Sequence, residues 1–272
     1  MSNRFAGLLT VVLGVLALKL TLSGEYLNYV RAGMYPWLVL SGLILVALGL
    51  VGWRSARSPE AHHHHEAGGH SHGLSRAAWL LVVPLLAASL LRPAPLGSFA
   101  ANRQSSRPPR PPAKTAVLAQ KVVKVKPVEA APAPAVEVAG VPIPAASSNS
   151  SEMSLTDFLE ITYYDETKAL AGVPVTIVGF AMPAQTGKPD EFLLSRFMIS
   201  CCAADAQLLQ AGVTRATGSV PKQDSWVSVT GTWEPDGSSP LMTDDGFPIP
   251  KLVARQVVPV AQPENPYLTL AQ

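Results

Sequence analysis

The stretch Phe192–Ala206, FLLSRFMISCCAADA, holds both cysteines of the 272-residue chain, side by side at the end of an apolar run. Glu191–Cys201 is short and mostly apolar, which predicts a strand, and Ala203–Gln210 predicts one or two helical turns after it. A single adjacent pair does not make the disulfide framework that is typical of small secreted domains. Cys201 and Cys202 are therefore the first candidate site of this chain.

The residues around this stretch, 154–272, predict a small α+β domain. Ser154 precedes a predicted helix over Thr156–Tyr164, in a pattern close to a capping box. Three further stretches predict strands by β-branched content or by alternation: Val173–Met182, Trp226–Trp233 (WVSVTGTW) and Leu252–Val260. Four or five strands with one helix, in roughly 110 residues, predict a partly open β-barrel of the OB-like type.

Residues 1–91 predict a membrane region, so the fold class expected for the whole chain is an α+β membrane protein with N-terminal transmembrane helices. Apolar runs at about 5–22, 35–51 and 77–91 predict three spans of the lipid bilayer, although the third is short and contains Pro84. A short basic head favours a cytoplasmic N-terminus, and three crossings then place the C-terminal domain outside the cytoplasm.

Residues 92–153 contain 11 prolines, which is typical of an extended tether that does not fold alone. Val117–Val128 within it is a candidate edge strand. The charge divides along the chain, with 14 Lys/Arg against 6 Asp/Glu before Ser154 and 7 against 13 from there on. The basic excess lies in membrane flanks and tether without aromatic interleaving, so we expect no nucleic-acid partner.

A histidine-rich loop, residues 60–73, lies between the second and third predicted spans. Imidazoles clustered on a flexible segment can chelate Zn, Cu or Ni. The alternative is a solvated low-complexity loop with unselective metal affinity. The candidate metal ligands are all six histidines of the chain: His62, His63, His64, His65, His70 and His72.

Three interpretations of the cysteine pair are open. Cys201, Cys202 and Asp205 offer soft and hard donors to zinc or another thiophilic transition metal, with further ligands from water, a carboxylate or another chain because this domain has no histidine. The pair can instead form a strained, easily reduced vicinal disulfide. One cysteine can also simply pack in the core. Arg196 is a candidate to lower a thiol pKa, although strand alternation favours the opposite face.

Sequence motifs of hydrolases, P-loop proteins and dinucleotide-binding enzymes are absent, and no histidine within the C-terminal domain can partner a cysteine. The acidic pairs Asp190–Glu191 and Asp244–Asp245 lie in predicted loops, where solvated turn residues are more common than a catalytic dyad. We therefore expect a protein that is not an enzyme.

The order of short spans, histidine-rich loop, RFMISCCAADAQ and WVSVTGTW resembles the YcgQ-like family of bacterial membrane proteins. The resemblance implies a subunit of a two-component permease in the bacterial inner membrane, with a polytopic permease-like partner. The expected function is an accessory subunit of a transport complex. The alternative is a membrane-anchored thiol redox or metal-binding protein. Three spans would put the histidines and cysteines on opposite sides of the membrane, so we expect them to act separately.

Overall fold

The computed structural model describes residues 3–55, 94–104, 106, 108, 151–215, 219–235, 241–243 and 246–269. Contacts divide the chain into two units. The N-terminal unit is Met1–Pro95 together with Cys201–Ala203, and the C-terminal unit is Leu96–Ser200 with Ala204–Gln272. Four predicted features lie outside the described residues: the third span at 77–91, the histidine-rich loop at 60–73, the edge strand at Val117–Val128 and the acidic pair Asp244–Asp245.

Two helices dominate the N-terminal unit, α1 (Asn3–Leu22) and α2 (Tyr35–Ser55), joined by two short 3-10 turns at Glu25–Asn28 and Ala32–Met34. One stretch, Ala32–Arg54, is long and apolar enough to cross a membrane by length and composition, and Ala6–Leu22 is a shorter apolar helix. These two helices correspond to the first two predicted spans. A signal sequence satisfies the same length and composition test.

Glycines bring α1 and α2 close together. A Cβ at Gly49 would lie 2.7 Å from the Val11 amide nitrogen and 2.8 Å from the Gly7 carbonyl oxygen. A Cβ at Gly14 would likewise lie 2.8 Å from the Gly42 carbonyl oxygen. Because these obstacles are backbone atoms, only residues without a Cβ allow this approach, as is common between helices in membranes.

The C-terminal unit begins its described part with a short helix, α3 (Ser98–Ala101), and then contains one longer helix, α4 (Leu155–Tyr164). Its strands are β1 (Ser151–Glu152), β2 (Pro174–Pro183), β3 (Glu191–Met198), β4 (Gln207–Arg215), β5 (Trp226–Trp233) and β6 (Lys251–Pro259). The α+β class of this region is therefore confirmed, as is the strand at Trp226–Trp233.

The strands form one sheet in the order β1-β2-β3-β4-β6-β5, and β2 pairs with β5 as well as with β3. Neighbours are antiparallel except β1–β2 and β4–β6, which are parallel. β2 serves two neighbours because Pro174–Phe180 pairs with β5 and Phe180–Pro183 pairs with β3. The change of partner falls beside Gly179, where a Cβ would lie 2.8 Å from the Ser195 carbonyl oxygen. The predicted close backbone approach at Gly179 is confirmed.

Helix α4 packs against the sheet through an apolar face, as its 3.6-residue periodicity predicts. Its Leu155, Phe158, Leu159 and Ile161 are buried with the inward-facing residues of the strands. The Ser154 side chain caps the helix by accepting a hydrogen bond from the Asp157 amide at 3.0 Å. The predicted helix and its cap are therefore confirmed.

Two predictions around the cysteines are wrong. Strand β3 ends at Met198 rather than continuing to Cys201. Only Ala203–Asp205 is helical after it, as one 3-10 turn, and Gln207–Arg215 is strand β4. The eight consecutive pairs between β3 and β4 supply the reason, because antiparallel pairing outweighs the weak local preference for a helix.

Candidate metal centre

The cysteine pair lies in the loop that connects β3 to β4. Beyond the strand, the buried residue Ile199 donates its amide to the Leu268 carbonyl at 2.9 Å, which carries the chain away from β4. The Ser200 amide donates to Asp205 Oδ1 at 2.9 Å, closing a tight turn around the cysteines. The chain therefore leaves the apolar strand at Met198 and forms a loop in which Cys201 is exposed to solvent.

The two cysteines of this loop are thiols and are not joined by a disulfide. Cys201 is exposed and Cys202 is partly buried, and their sulfur atoms are 3.6 Å apart. The two sulfurs and a carboxylate oxygen of Asp205 all lie within 4.8 Å of one another. The three predicted ligands of the cysteine site are thus brought together.

The backbone on either side of Cys202 is held within the N-terminal unit, to which Cys201–Ala203 belongs. The Arg31 amide donates to the Cys201 carbonyl at 3.2 Å, and the Ala203 amide donates to the Tyr29 carbonyl at 2.7 Å. Val30 and Cys202 form the antiparallel bridge between these two bonds. The cysteine backbone is therefore paired on both sides while the Cys201 side chain stays accessible.

The donor set is suited to a thiophilic transition metal. Thiolate sulfur favours Zn²⁺, Cu⁺ and related ions, and a carboxylate oxygen is an accepted third ligand for zinc. Structural zinc sites normally have four ligands, so three donors leave a position for water or for an incoming group. Such an open arrangement is typical of zinc sites that keep a position for water or another ligand, and it differs from the closed four-ligand sites that stabilise a fold.

Arg196, the predicted candidate to lower a thiol pKa, contacts the C-terminal segment and Trp226. Its Nη2 donates to the Asn265 carbonyl at 2.8 Å and its Nε to the Pro266 carbonyl at 3.2 Å, while its guanidinium lies 5.5 Å from the centre of the Trp226 ring. Burial lowers the pKa of this guanidinium. These contacts make Arg196 an anchor for the C-terminal segment.

Glu191 is a buried charge, so the prediction that it is a solvated turn residue is wrong. Its side chain is 3% exposed and its Oε1 accepts from Lys251 Nζ at 2.8 Å and from Lys188 Nζ at 3.2 Å. Burial acts to raise the pKa of this carboxyl, but hydrogen bonds from Lys251, Thr186 and Lys188, together with the charge of Lys251, lower it to about 2. Lys188 lies three positions before Glu191, so the sequence could have indicated this ion pair, whereas Lys251 lies 60 positions away and its contact could not be predicted.

The histidine ligands predicted at His62, His63, His64, His65, His70 and His72 lie outside the described residues. Whether they bind metal therefore stays a prediction. Within the part of the chain that the structure describes, the group with metal-ligand chemistry at bonding range is Cys201, Cys202 and Asp205.

Comparison with known protein families finds one match in the N-terminal part of the chain and one in the C-terminal part. Residues 5–106 match the DUF1980 N-terminal domain, and residues 145–269 match the DUF1980 C-terminal domain. A comparison with curated proteins finds no match.

Among solved structures, one similar chain is described as "a putative aspartyl-tRNA synthetase from Leishmania major Friedlin". The two are 14% identical with a TM-score of 0.26, and the alignment covers 49% of this chain and 24% of that one. The chain thus spans about a quarter of that protein, and a TM-score this low does not indicate a shared fold.

Proposed function

Because the chain contains both the N-terminal and the C-terminal domain of the DUF1980 family, we propose that the two domains form one membrane-anchored metal-binding subunit. The C-terminal domain binds a thiophilic transition-metal ion, zinc or a softer relative, through Cys201, Cys202 and Asp205. The observation that carries this proposal is the convergence of two thiols and a carboxylate within 4.8 Å in an accessible loop.

The geometry of the loop favours reversible binding. Asp205 Oδ1 accepts from the Ser200 amide, so the carboxylate is oriented by the same turn that carries the thiols. An oriented ligand loses less conformational freedom when an ion binds, which strengthens binding without a fourth protein ligand. The position left for water gives a partner protein or a soluble chelator a route to take the ion.

The anchor in this proposal is the helix pair α1–α2. The glycines where the two helices approach each other, Gly7, Gly14, Gly42 and Gly49, lie between the helices. Large apolar side chains are exposed on the other faces of both helices. Such all-round apolar surface is suited to lipid or to the helices of another membrane protein. The exposed side chains include Leu8, Val12 and Val15 on α1, and Leu40, Leu43, Leu48 and Val51 on α2.

The wider setting is an accessory role in a permease-like transport complex of the bacterial inner membrane. A polytopic permease-like protein is the proposed partner, and the C-terminal domain, an OB-like barrel, lies outside the cytoplasm. The pairing of β2 with both β3 and β5 supports the barrel, since it returns the strand order to its first long strand. The subunit presents an ion and has no catalytic role.

Metal binding is tested on reduced, full-length protein in detergent. Zn²⁺ and Cd²⁺ are titrated against a competing chelator, with elemental analysis of the product. To remove the histidine loop from the measurement, all variants are made in a background with the six histidines replaced by glutamine.

We expect near-stoichiometric binding in that background, its loss in the C201S/C202S variant, and weaker binding in Asp205→Asn, because asparagine keeps an oxygen donor without the charge. Glu166→Gln is the matched control, since it removes an exposed carboxylate of the same domain that lies outside the three-residue group. Equal binding by the double serine variant would contradict the proposal.

The partner is tested separately, by co-purification of tagged protein from native membranes in mild detergent. We expect a polytopic membrane protein to be retained at stoichiometric level. Recovery of the subunit alone from membranes that contain its native neighbours would exclude a stable complex while leaving the metal site untouched.

A further inference from the structure

We infer that the cysteine pair is a redox-gated site. A small-molecule disulfide oxidises Cys201 and Cys202, which then form a disulfide bond with each other, and the oxidised pair no longer binds the metal ion. This inference rests on the proposed metal function and concerns how the same residues are regulated. The observations that carry it are the 3.6 Å separation of the two sulfurs and the unequal exposure of the two residues.

The loop allows the sulfurs to meet. A disulfide bond is about 2.05 Å long, so the two sulfur atoms must approach by about 1.5 Å. Both residues lie beyond the end of β3 and outside the β3–β4 ladder, so rotation of their side chains breaks no pair of that ladder. Within a strand, adjacent side chains would point to opposite faces and the approach would not be available.

Exposure assigns the order of the reaction. Cys201 is exposed, so its thiolate attacks one sulfur of the external disulfide, forming a mixed disulfide and releasing one thiolate. The partly buried Cys202 thiolate then attacks the Cys201 sulfur, forming the Cys201–Cys202 bond and releasing the second thiolate. The two protons of the cysteine thiols pass through solvent to the two released thiolates. Two cysteine thiols are oxidised by two electrons and one external disulfide is reduced to two thiols.

Metal binding and this bond exclude each other. The thiolate is the form of cysteine that binds metal, and a disulfide sulfur has neither its charge nor its donor strength. Oxidation would leave Asp205 as the single strong donor of the group. In the opposite direction, a bound ion shares a lone pair of each sulfur, which lowers the nucleophilicity of both thiolates and slows their reaction with a disulfide.

The experiment uses full-length protein in detergent with the six histidines replaced by glutamine, oxidised glutathione as the disulfide and Cd²⁺ as the metal. Intact mass reports the redox state, and ultraviolet thiolate-to-cadmium absorption reports binding. We expect glutathione disulfide to remove two hydrogen atoms from the protein, to abolish Cd²⁺ binding, and to act more slowly on the Cd²⁺-loaded protein. Reduction with dithiothreitol should restore binding.

Single variants test the order of attack. Cys202→Ser should accumulate the glutathione adduct on Cys201, while Cys201→Ser should react more slowly because Cys202 is less exposed.

The outcomes separate the two proposals. Reduced protein that binds Cd²⁺ but yields only a stable adduct, or that binds equally after oxidation, would overturn the gating and leave the metal function standing. Reduced protein that forms the disulfide but never binds Cd²⁺ would overturn the metal function itself. Cys202→Ser that reacts no faster than Cys201→Ser would overturn the assigned order and with it the mechanism of gating.

Discussion

Replacing Glu191 with glutamine should destabilise the C-terminal domain at neutral pH and remove part of its acid sensitivity. Glu191 Oε1 lies 2.8 Å from Lys251 Nζ and 3.2 Å from Lys188 Nζ, and the carboxyl is 3% exposed. Glutamine keeps the size of the side chain but cannot carry the charge. The change therefore isolates the electrostatic part of this buried cluster from its packing.

The magnitude follows from the pKa of Glu191, which is lowered from its ordinary value of 4.5 to about 2. A shift of that size corresponds to roughly 3 kcal/mol of folding free energy at neutral pH if nothing screens the pair. Lys188 is 53% exposed, so solvent reduces its share. We expect Glu191→Gln to cost about 2 kcal/mol, which lowers the urea midpoint by about 1 M for a domain of this size.

The pH dependence has a definite sign. A carboxyl whose pKa is lower in the folded state stabilises the fold fully above its unfolded pKa and loses that contribution as the pH falls through its folded pKa. The difference in unfolding free energy between wild type and Glu191→Gln should therefore be constant above about pH 5 and shrink between about pH 4.5 and pH 2. Because both proteins contain the same other carboxyls, the contributions of those groups to the unfolding free energy cancel in this difference.

The assay is urea unfolding of residues 145–272, a fragment that contains the whole buried cluster around α4 and the sheet. Tryptophan fluorescence follows the transition at several pH values. Glu166→Gln removes an exposed carboxylate from the same domain and should change the midpoint little. A Glu191→Gln variant as stable as wild type at pH 7, or a difference that persists unchanged at pH 2.5, would refute the assignment.

Three further predictions concern the cap, the C-terminal anchor and the helix pair. Ser154→Ala should cost about 1 kcal/mol in the same urea assay, with Ser154→Asp restoring it, since either oxygen can accept from the Asp157 amide. Arg196→Lys should speed hydrogen exchange of the Leu268 amide, because lysine cannot hold both the Asn265 and Pro266 carbonyls; unchanged exchange would mean that Arg196 does not anchor this segment. Gly49→Leu should lower the thermal midpoint of full-length protein in detergent, because its Cβ would meet backbone of α1, while Leu48→Ala on the exposed face should not.

Much of the architecture was predictable because it depends on residues close together in the chain. The cap at Ser154 acts over three positions, the apolar face of α4 repeats over one helical turn, and the alternation of WVSVTGTW marks a strand within eight residues. The apolar composition of α1 and α2 likewise predicted two helices, and Ala32–Arg54 is long and apolar enough to cross a membrane. The candidate ligands Cys201, Cys202 and Asp205 were identifiable for the same reason, since they lie within five consecutive positions.

Other features depended on parts of the chain that meet only in the folded protein. Gln207–Arg215 has no strong local preference for a strand, and its pairing with both β3 and β6 makes it one. Glu191 keeps its charge while buried because Lys251, on β6, lies 2.8 Å from its carboxylate. The loop that brings the cysteines to the surface begins where the Ile199 amide donates to the Leu268 carbonyl and the chain no longer pairs with β4. Local sequence thus determined the elements and the donor atoms, whereas long-range pairing decided which charges are buried and where the thiols reach solvent. The physical reason is that hydrogen bonds between strands join residues far apart in sequence, and their energy exceeds the small intrinsic preferences of single residues.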